Sequence, residues 1–234
     1  MGKFTFGMGT VRHMSTDGNQ RFWNRYARLY DVETNLFSRS AYEQMHEMML
    51  STLTTDMDVL EVATGTGIIA RHIAGGVKHV TATDFSAGMI NVARKKHVPD
   101  NVSFSVEDAT ALSFPDSSFD AAIISNALHI MPDPARALSE IRRVLKPDGL
   151  LIAPTFSQSG AKKSGGLNAS VLKLVGFKVY SQWTPEELVT FVSSNGFHVT
   201  KWQVLKAAFP LVYLEAHRLG EPFLDNLFQS DIHM

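Results

Sequence analysis

The sequence predicts an α/β fold: a doubly wound, mostly parallel seven-stranded sheet with an antiparallel C-terminal strand, helices on both faces and an N-terminal helical lid. Three observations predict it. Short apolar runs alternate with helical patterns from residue 58 onward, and the first run ends in a glycine-rich turn that opens a helix. The last two runs stand too close together for a helical crossover. Parallel strands covered on both faces read as nearly continuous apolar runs. VLEVA (59–63), HVTAT (79–83), VSFSV (102–106), DAAIIS (120–125) and LLIAP (150–154) have that character.

Residues 1–50 are rich in aromatics and methionine and form the expected lid. Within them Ser40 and Glu43 have capping-box spacing ahead of Tyr42, Met45, Met48 and Met49, which predicts a helix before the first strand. Ser86 is placed to cap a helix through about His97, with Met89, Ile90 and Ala93 inward. Asp133 followed by Pro134 starts the next helix, whose stripe is Leu138, Ile141, Val144 and Leu145 and whose end is the turn Lys146-Pro147-Asp148-Gly149. Thr184-Pro185-Glu186-Glu187 opens another, closed at Asn195-Gly196. HVTKWQVL (198–205) and PLVYLEAHR (210–218), separated by KAAF, predict an antiparallel pair. The main domain is thus expected over 51–218. Within it the stretch 157–180, Gly/Ser/Lys-rich and then apolar, reads as a flap. The tail 219–234 carries Phe223, Leu224, Leu227 and Phe228, a stripe suited to the body of the molecule or to a second subunit, which makes a homodimer a candidate assembly.

Composition narrows the function. Among 234 residues, Lys+Arg 22 against Asp+Glu 23 leaves a formal charge of -1, without the basic excess expected of a nucleic-acid binder. The absence of cysteine excludes disulfides, thiolate metal sites and cysteine nucleophiles. The histidines are scattered, with no pair at ligand spacing, so no metal is expected. No window approaches the roughly 18 apolar residues of a membrane span, and MGKFTFGMGTVRH lacks an apolar signal core. A cytoplasmic protein without stable membrane insertion is the expectation.

The strongest local signal is VLEVATGTGIIA (59–70), a buried strand running through a glycine turn into a helix. Glycines there let a ligand approach the backbone, and the helix start offers free N–H groups. Gly65-x-Gly67-x-x-Ala70, with Asp84 17 residues beyond Gly67, matches a dinucleotide fingerprint and leaves the cofactor open. Glu61 favours a cationic ligand, because a carboxylate at the strand end repels a pyrophosphate and attracts ammonium or sulfonium charge. Val106-Glu107-Asp108-Ala109, just after the third strand, places an acceptor where an adenine amino group can meet it.

Several motifs in order resemble the class I S-adenosylmethionine-dependent methyltransferases, in the branch that includes the ubiquinone and menaquinone biosynthesis methyltransferases. They are VLEVATGTG, TATDFSAGMI, VEDATALSFPDSSFD, NALHIMPDPARALSEIRRVLKPDGLLI and WTPEELVTFVSSNGF, and the resemblance covers about residues 22 to 215. It implies a Rossmann-like fold, S-adenosyl-L-methionine as cofactor and S-adenosyl-L-homocysteine as product. It would put Glu61, Ala63, Gly65 and Gly67 around the methionine half, Asp84 on the ribose hydroxyls, and Phe85 and Met89 beside the adenine. Asp108 and Ala109 would meet the adenine edge, and Ser125 and Asn126 would lie beneath the sulfonium. The lead-in FWNRYARLYD (22–31) resembles the family's aromatic segment, whose tyrosine, here Tyr30, borders the cofactor. Ala63 departs from the pattern, since the family usually has its first glycine there, and the extra methyl is expected to narrow the floor of the site.

His129 follows the fourth strand at the carboxyl edge, where ligands of such sheets bind. As a catalytic candidate beside Tyr30 it would act as general base or orient an acceptor; the plainer reading is a buried histidine satisfying a backbone carbonyl. The resemblance implies in-line methyl transfer, and the apolar character of the N-terminal aromatic helix and the 157–180 segment, which would close the site, predicts a small or medium-sized hydrophobic acceptor. Ser125-Asn126-Ala127-Leu128 stands where a nucleic-acid methyltransferase would carry N/D-P-P-Y/F, and the strand end lacks a carboxylate for catechol-type magnesium chemistry. A nicotinamide oxidoreductase and a non-catalytic S-adenosylmethionine-binding protein remain as alternatives.

Overall fold

The computed structural model describes residues 23–24, 39–157, 179–206 and 210–220. Most of the lid, most of the flap and nearly all of the tail lie outside them, as does Tyr30.

Helix α1 (Arg39–Thr52) precedes strand β1 (Asp58–Val62). Then follow α2 (Ile68–Ile73), β2 (His79–Asp84), α3 (Ala87–Lys95), β3 (Val102–Val106), β4 (Phe119–Ile124), α4 (Pro134–Val144) and β5 (Leu145–Ile152). A two-residue β6 (Thr155–Phe156), α5 (Pro185–Ser194), β7 (Phe197–Leu205) and β8 (Leu211–Arg218) complete the order. The sheet runs β3-β2-β1-β4-β5-β8-β6, with β7 against the other side of β8. β1, β2, β3, β4 and β5 pair in parallel, and every pairing of β8 is antiparallel. This is the doubly wound, mostly parallel sheet with an antiparallel C-terminal part that the sequence predicts. β6 is an eighth strand beyond the seven expected, too short to leave a sequence pattern. The Rossmann-like order reverses between β1 and β4, and that switch point opens the crevice where such sheets bind ligands.

Successive strand residues point to opposite faces, so a strand covered twice must be apolar throughout. Val59 and Ile123 face a core with Met45 and Met49 of α1, Ile69 and Ile73 of α2 and Ile90 of α3. Leu60 and Ile124 face the other, with Leu138 and Ile141 of α4 and Leu188 and Val192 of α5.

The caps follow the sequence. Ser86 accepts from Met89 N–H, Asp133 from Arg136 N–H, and Thr184 and Glu187 close a reciprocal capping box. Ser40 corrects the expectation: α1 already includes Arg39, so Ser40 lies in its first turn rather than capping it. The turn at 146–149 also differs in setting. It is a bulge within β5, because Phe119 pairs with Leu145 while Ala121 pairs with Leu150. Asp148 absorbs the kink at φ 59°.

Candidate cofactor and active site

A cavity of about 450 Å³ opens at the carboxyl edge of β1, β2, β3 and β4. Nine residues singled out from the sequence line it: Ala63, Gly65, Asp84, Phe85, Met89, Asp108, Ala109, Ser125 and Asn126. Eight come from four strand ends and the turns after them and Met89 from the first turn of α3, so only the switch-point topology brings them together.

The turn after β1 forms the floor. Ala63, Gly65 and Gly67 all take positive φ, at 57°, 57° and 75°. Gly67 lies outside the lining and caps α2 instead, without a side-chain bond. A Cβ there would meet the Phe104 ring at 2.5 Å, so β3 occupies the space that glycine leaves. Ala63 has the left-handed conformation in which glycine is the cheaper residue.

Glu61 also lies outside the lining, beneath the turn. It accepts from the Thr64 hydroxyl at 2.7 Å and from the backbone of Ala70. Burial pushes its carboxyl up to about 8, against the lowering effect of those bonds, and the charge of Asp84 adds to the rise. A cation entering beside these two acids would favour their ionised forms.

Asp84 braces two turns at once. One oxygen accepts from Gly65 N–H at 2.8 Å and the other from Ser86 N–H at 2.7 Å. Burial pushes its carboxyl up to about 6. An ionised carboxylate has about four lone-pair sites, so each oxygen keeps capacity for a ribose hydroxyl. Asp108 turns one oxygen onto Thr110, accepting from its N–H at 2.8 Å and its hydroxyl at 2.7 Å. Its other oxygen takes part in none of these bonds. Asp108 thus braces a turn and lines the cavity at once.

Beyond β4, Asn126 has φ 51° and donates its amide to the Tyr42 phenol at 3.1 Å. Ser125 lies 4.0 Å from Met45 Sδ. Helix α1 therefore backs the site from behind. Its Tyr42 phenol is pushed up by burial, against the lowering bond from Asn126.

His129 sits in a single 3₁₀ turn, outside the cavity lining. Its carbonyl accepts from Tyr180 and Ser181 N–H, and its ring stands edge-on to Phe156 at 6.3 Å. Nδ1 is buried without a hydrogen bond, so the ring does not satisfy a backbone carbonyl through it. Burial lowers the imidazole to about 4, which makes it neutral at pH 7.

Trp23, Thr110, Met131 and Arg136 line the cavity without having been singled out. Trp23 belongs to the aromatic lead-in, and its neighbour Asn24 takes hydrogen bonds from Ser86 Oγ at 2.5 Å and Gly88 N–H at 3.0 Å. Met131 and Arg136 belong to the run that starts α4, where capping residues draw the eye first.

The comparisons with known proteins agree with this geometry. A family profile described as a methyltransferase domain matches residues 60–153. The ubiquinone/menaquinone biosynthesis C-methyltransferase UbiE of Brucella anthropi is 34% identical over 193 residues, covering 77% of this chain and 68% of that protein. The chain belongs to the S-adenosylmethionine-dependent methyltransferases of this type. The demethylmenaquinone methyltransferase of Clavibacter sepedonicus is 38% identical over 138 residues, and the chain spans about half of it, 53%. A solved S-adenosylmethionine-dependent methyltransferase from Aquifex aeolicus superposes with a TM-score of 0.63 at 20% identity, covering 84% of this chain and 98% of that one, and so shares the fold. Family membership displaces the nicotinamide oxidoreductase that the glycine spacing had left open. The residues present fit S-adenosylmethionine: acids at the ends of β2 and β3, Asp84 and Asp108, offer acceptor oxygens for hydroxyl and amino donors, and the glycine turn between them and Glu61 suits a cationic group.

Proposed function

We propose that the protein transfers a methyl group from S-adenosylmethionine to a small or medium-sized apolar acceptor of the quinone-related kind. The observation that carries the reading is the single cavity that gathers nine of the sequence-derived residues at the switch point. The names of the curated relatives, demethylmenaquinone methyltransferase and ubiquinone/menaquinone biosynthesis C-methyltransferase, support the acceptor class.

S-adenosylmethionine supplies, when bound, an electrophilic methyl on a sulfonium. The chain's own part is placement. Asp84 takes the ribose hydroxyls and holds Gly65 and Ser86, so the ligand and the turns around it are fixed by one carboxylate. Asp108 takes the adenine edge. Asp84 is the ionised acid at the cationic end at pH 7, and the Glu61 carboxyl, held at about 8, ionises more readily once a sulfonium lies beside it. Ser125 and Asn126, held by Met45 and Tyr42, line the cavity where β4 ends beside β1. Alignment of this kind supplies about 7 to 11 kcal/mol of a transfer barrier, with little need for covalent participation. His129, neutral at pH 7 and packed edge-on to Phe156 outside the cavity lining, contributes packing behind the site rather than charge.

The test is transfer of labelled methyl from S-adenosylmethionine to a demethylmenaquinone analogue with a shortened tail, offered in oxidised and reduced form. Label is expected in the organic phase. A protein that binds the cofactor and labels no apolar acceptor would be a binder, and the catalytic reading would fall.

A further inference from the structure

We propose that Arg136 is a positioning residue for adenine recognition: it pins the turn that aims Asp108 and thereby sets discrimination for the adenine ring. This rests on the reading of Asp108 as acceptor of the adenine amino group.

The geometry forms a relay. Both groups that hold Asp108 Oδ1 belong to Thr110, its N–H at 2.8 Å and its hydroxyl at 2.7 Å. Thr110 is held in turn by its carbonyl, which accepts from Arg136 Nε at 3.1 Å. The other end of the same guanidinium lies 3.4 Å from Glu140 Oε1. Glu140 is a fixed anchor: it is buried, accepts from Leu112 N–H at 3.0 Å and pairs with Arg143 at 2.9 Å. Arg143 also donates to the carbonyls of Leu112 and Phe114, both at 2.8 Å. The segment after β3 is therefore stitched to α4 at Thr110, Leu112 and Phe114. Of the two arginines that hold it, only Arg136 reaches the turn next to Asp108 and lines the cavity.

A plain surface ion pair does not account for this. Arg136 is 55% exposed, and an exposed i,i+4 pair contributes little. What separates Arg136 from an ordinary helix pair is the simultaneous use of Nε on a loop carbonyl and Nη2 on a buried carboxylate. A planar fork can make both contacts; the single ammonium of lysine cannot. If the turn relaxes, the free oxygen of Asp108 loses its fixed direction. The cost then falls on ligands that need that oxygen and spares ligands that do not.

The test compares S-adenosylhomocysteine with S-inosylhomocysteine, in which a carbonyl oxygen replaces the adenine amino group, by calorimetric titration of the full chain. The unsubstituted protein is expected to prefer the adenine ligand by about tenfold or more. Arg136→Met is expected to cut that preference about fivefold, with the weakening confined to the adenine ligand. Asp108→Asn is expected to remove it. Equal weakening of both ligands in Arg136→Met overturns the proposal, since a merely structural arginine would act that way. An unchanged preference in Asp108→Asn removes the adenine assignment itself and the proposal with it. Should Arg136→Met fail to fold, Arg136→Gln gives the same reading.

Discussion

Ala63 carries a methyl group in a backbone conformation that glycine occupies more cheaply. A left-handed L-residue costs about 1–2 kcal/mol, partly offset by the greater freedom that glycine loses on folding. Ala63→Gly is therefore expected to raise stability by about 1 kcal/mol and to lower the floor of the cavity, read as a higher thermal midpoint. A lower midpoint would mean that the methyl packs usefully against its surroundings. The place of Asp84 in the cavity was legible from its spacing to the glycine turn. Its double brace was not, because the partners are backbone N–H groups of Gly65 and Ser86, which leave no mark in sequence. The same limit hid the Thr110 carbonyl beneath Arg136.

Among the elements, α5 depends on its first turn. Thr184 accepts from Glu187 N–H at 3.2 Å while Glu187 accepts from Thr184 N–H at 2.8 Å. Thr184→Ala is expected to cost about 1 kcal/mol by chemical denaturation, with the slope unchanged. No loss would show that packing of Leu188 and Val192 alone holds the helix. This cap was readable because its residue types recur at a fixed spacing. The parallel strands were readable for a related reason: burial on both faces leaves an unbroken apolar run. β6 escaped because two residues hold no periodicity, and the turn at 146–149 was seen without its bulge because pairing register is a property of two strands. His129 was placed at the right edge, yet which way its ring faces depended on Phe156, 27 positions further along the chain.

For the whole molecule, buried ionisable groups set the response to pH. Glu61 is held at about 8 and Asp84 at about 6, both above their ordinary values of 4.5 and 3.8. A carboxyl raised on folding stabilises the native state fully below its unfolded value, and that contribution is lost as pH rises through the folded one. His46 and His129 have the opposite sign in effect. Burial lowers both from 6.5 to about 4, so their contribution is lost as pH falls from 6.5 toward 4. Between pH 7 and 9 Glu61 is the one of these four that titrates. Unliganded protein is expected to lose about 1 kcal/mol across that window, visible as a falling thermal midpoint, and S-adenosylmethionine is expected to reduce the loss. A midpoint that rises over the same window would contradict the burial of Glu61. The near-neutral formal charge of -1 leaves such buried groups, rather than surface repulsion, to shape the profile.

The most direct measurement of the central claim is a calorimetric titration at pH 7.5 with S-adenosylhomocysteine and, separately, NADH, for the unsubstituted chain and Asp84→Ala. One saturable site for S-adenosylhomocysteine, none for NADH, and a loss of at least about tenfold in the variant are predicted, since Asp84 supplies charge-assisted acceptors worth about 1.5–3 kcal/mol. Absence of heat with S-adenosylhomocysteine, or undiminished affinity in Asp84→Ala, would contradict it.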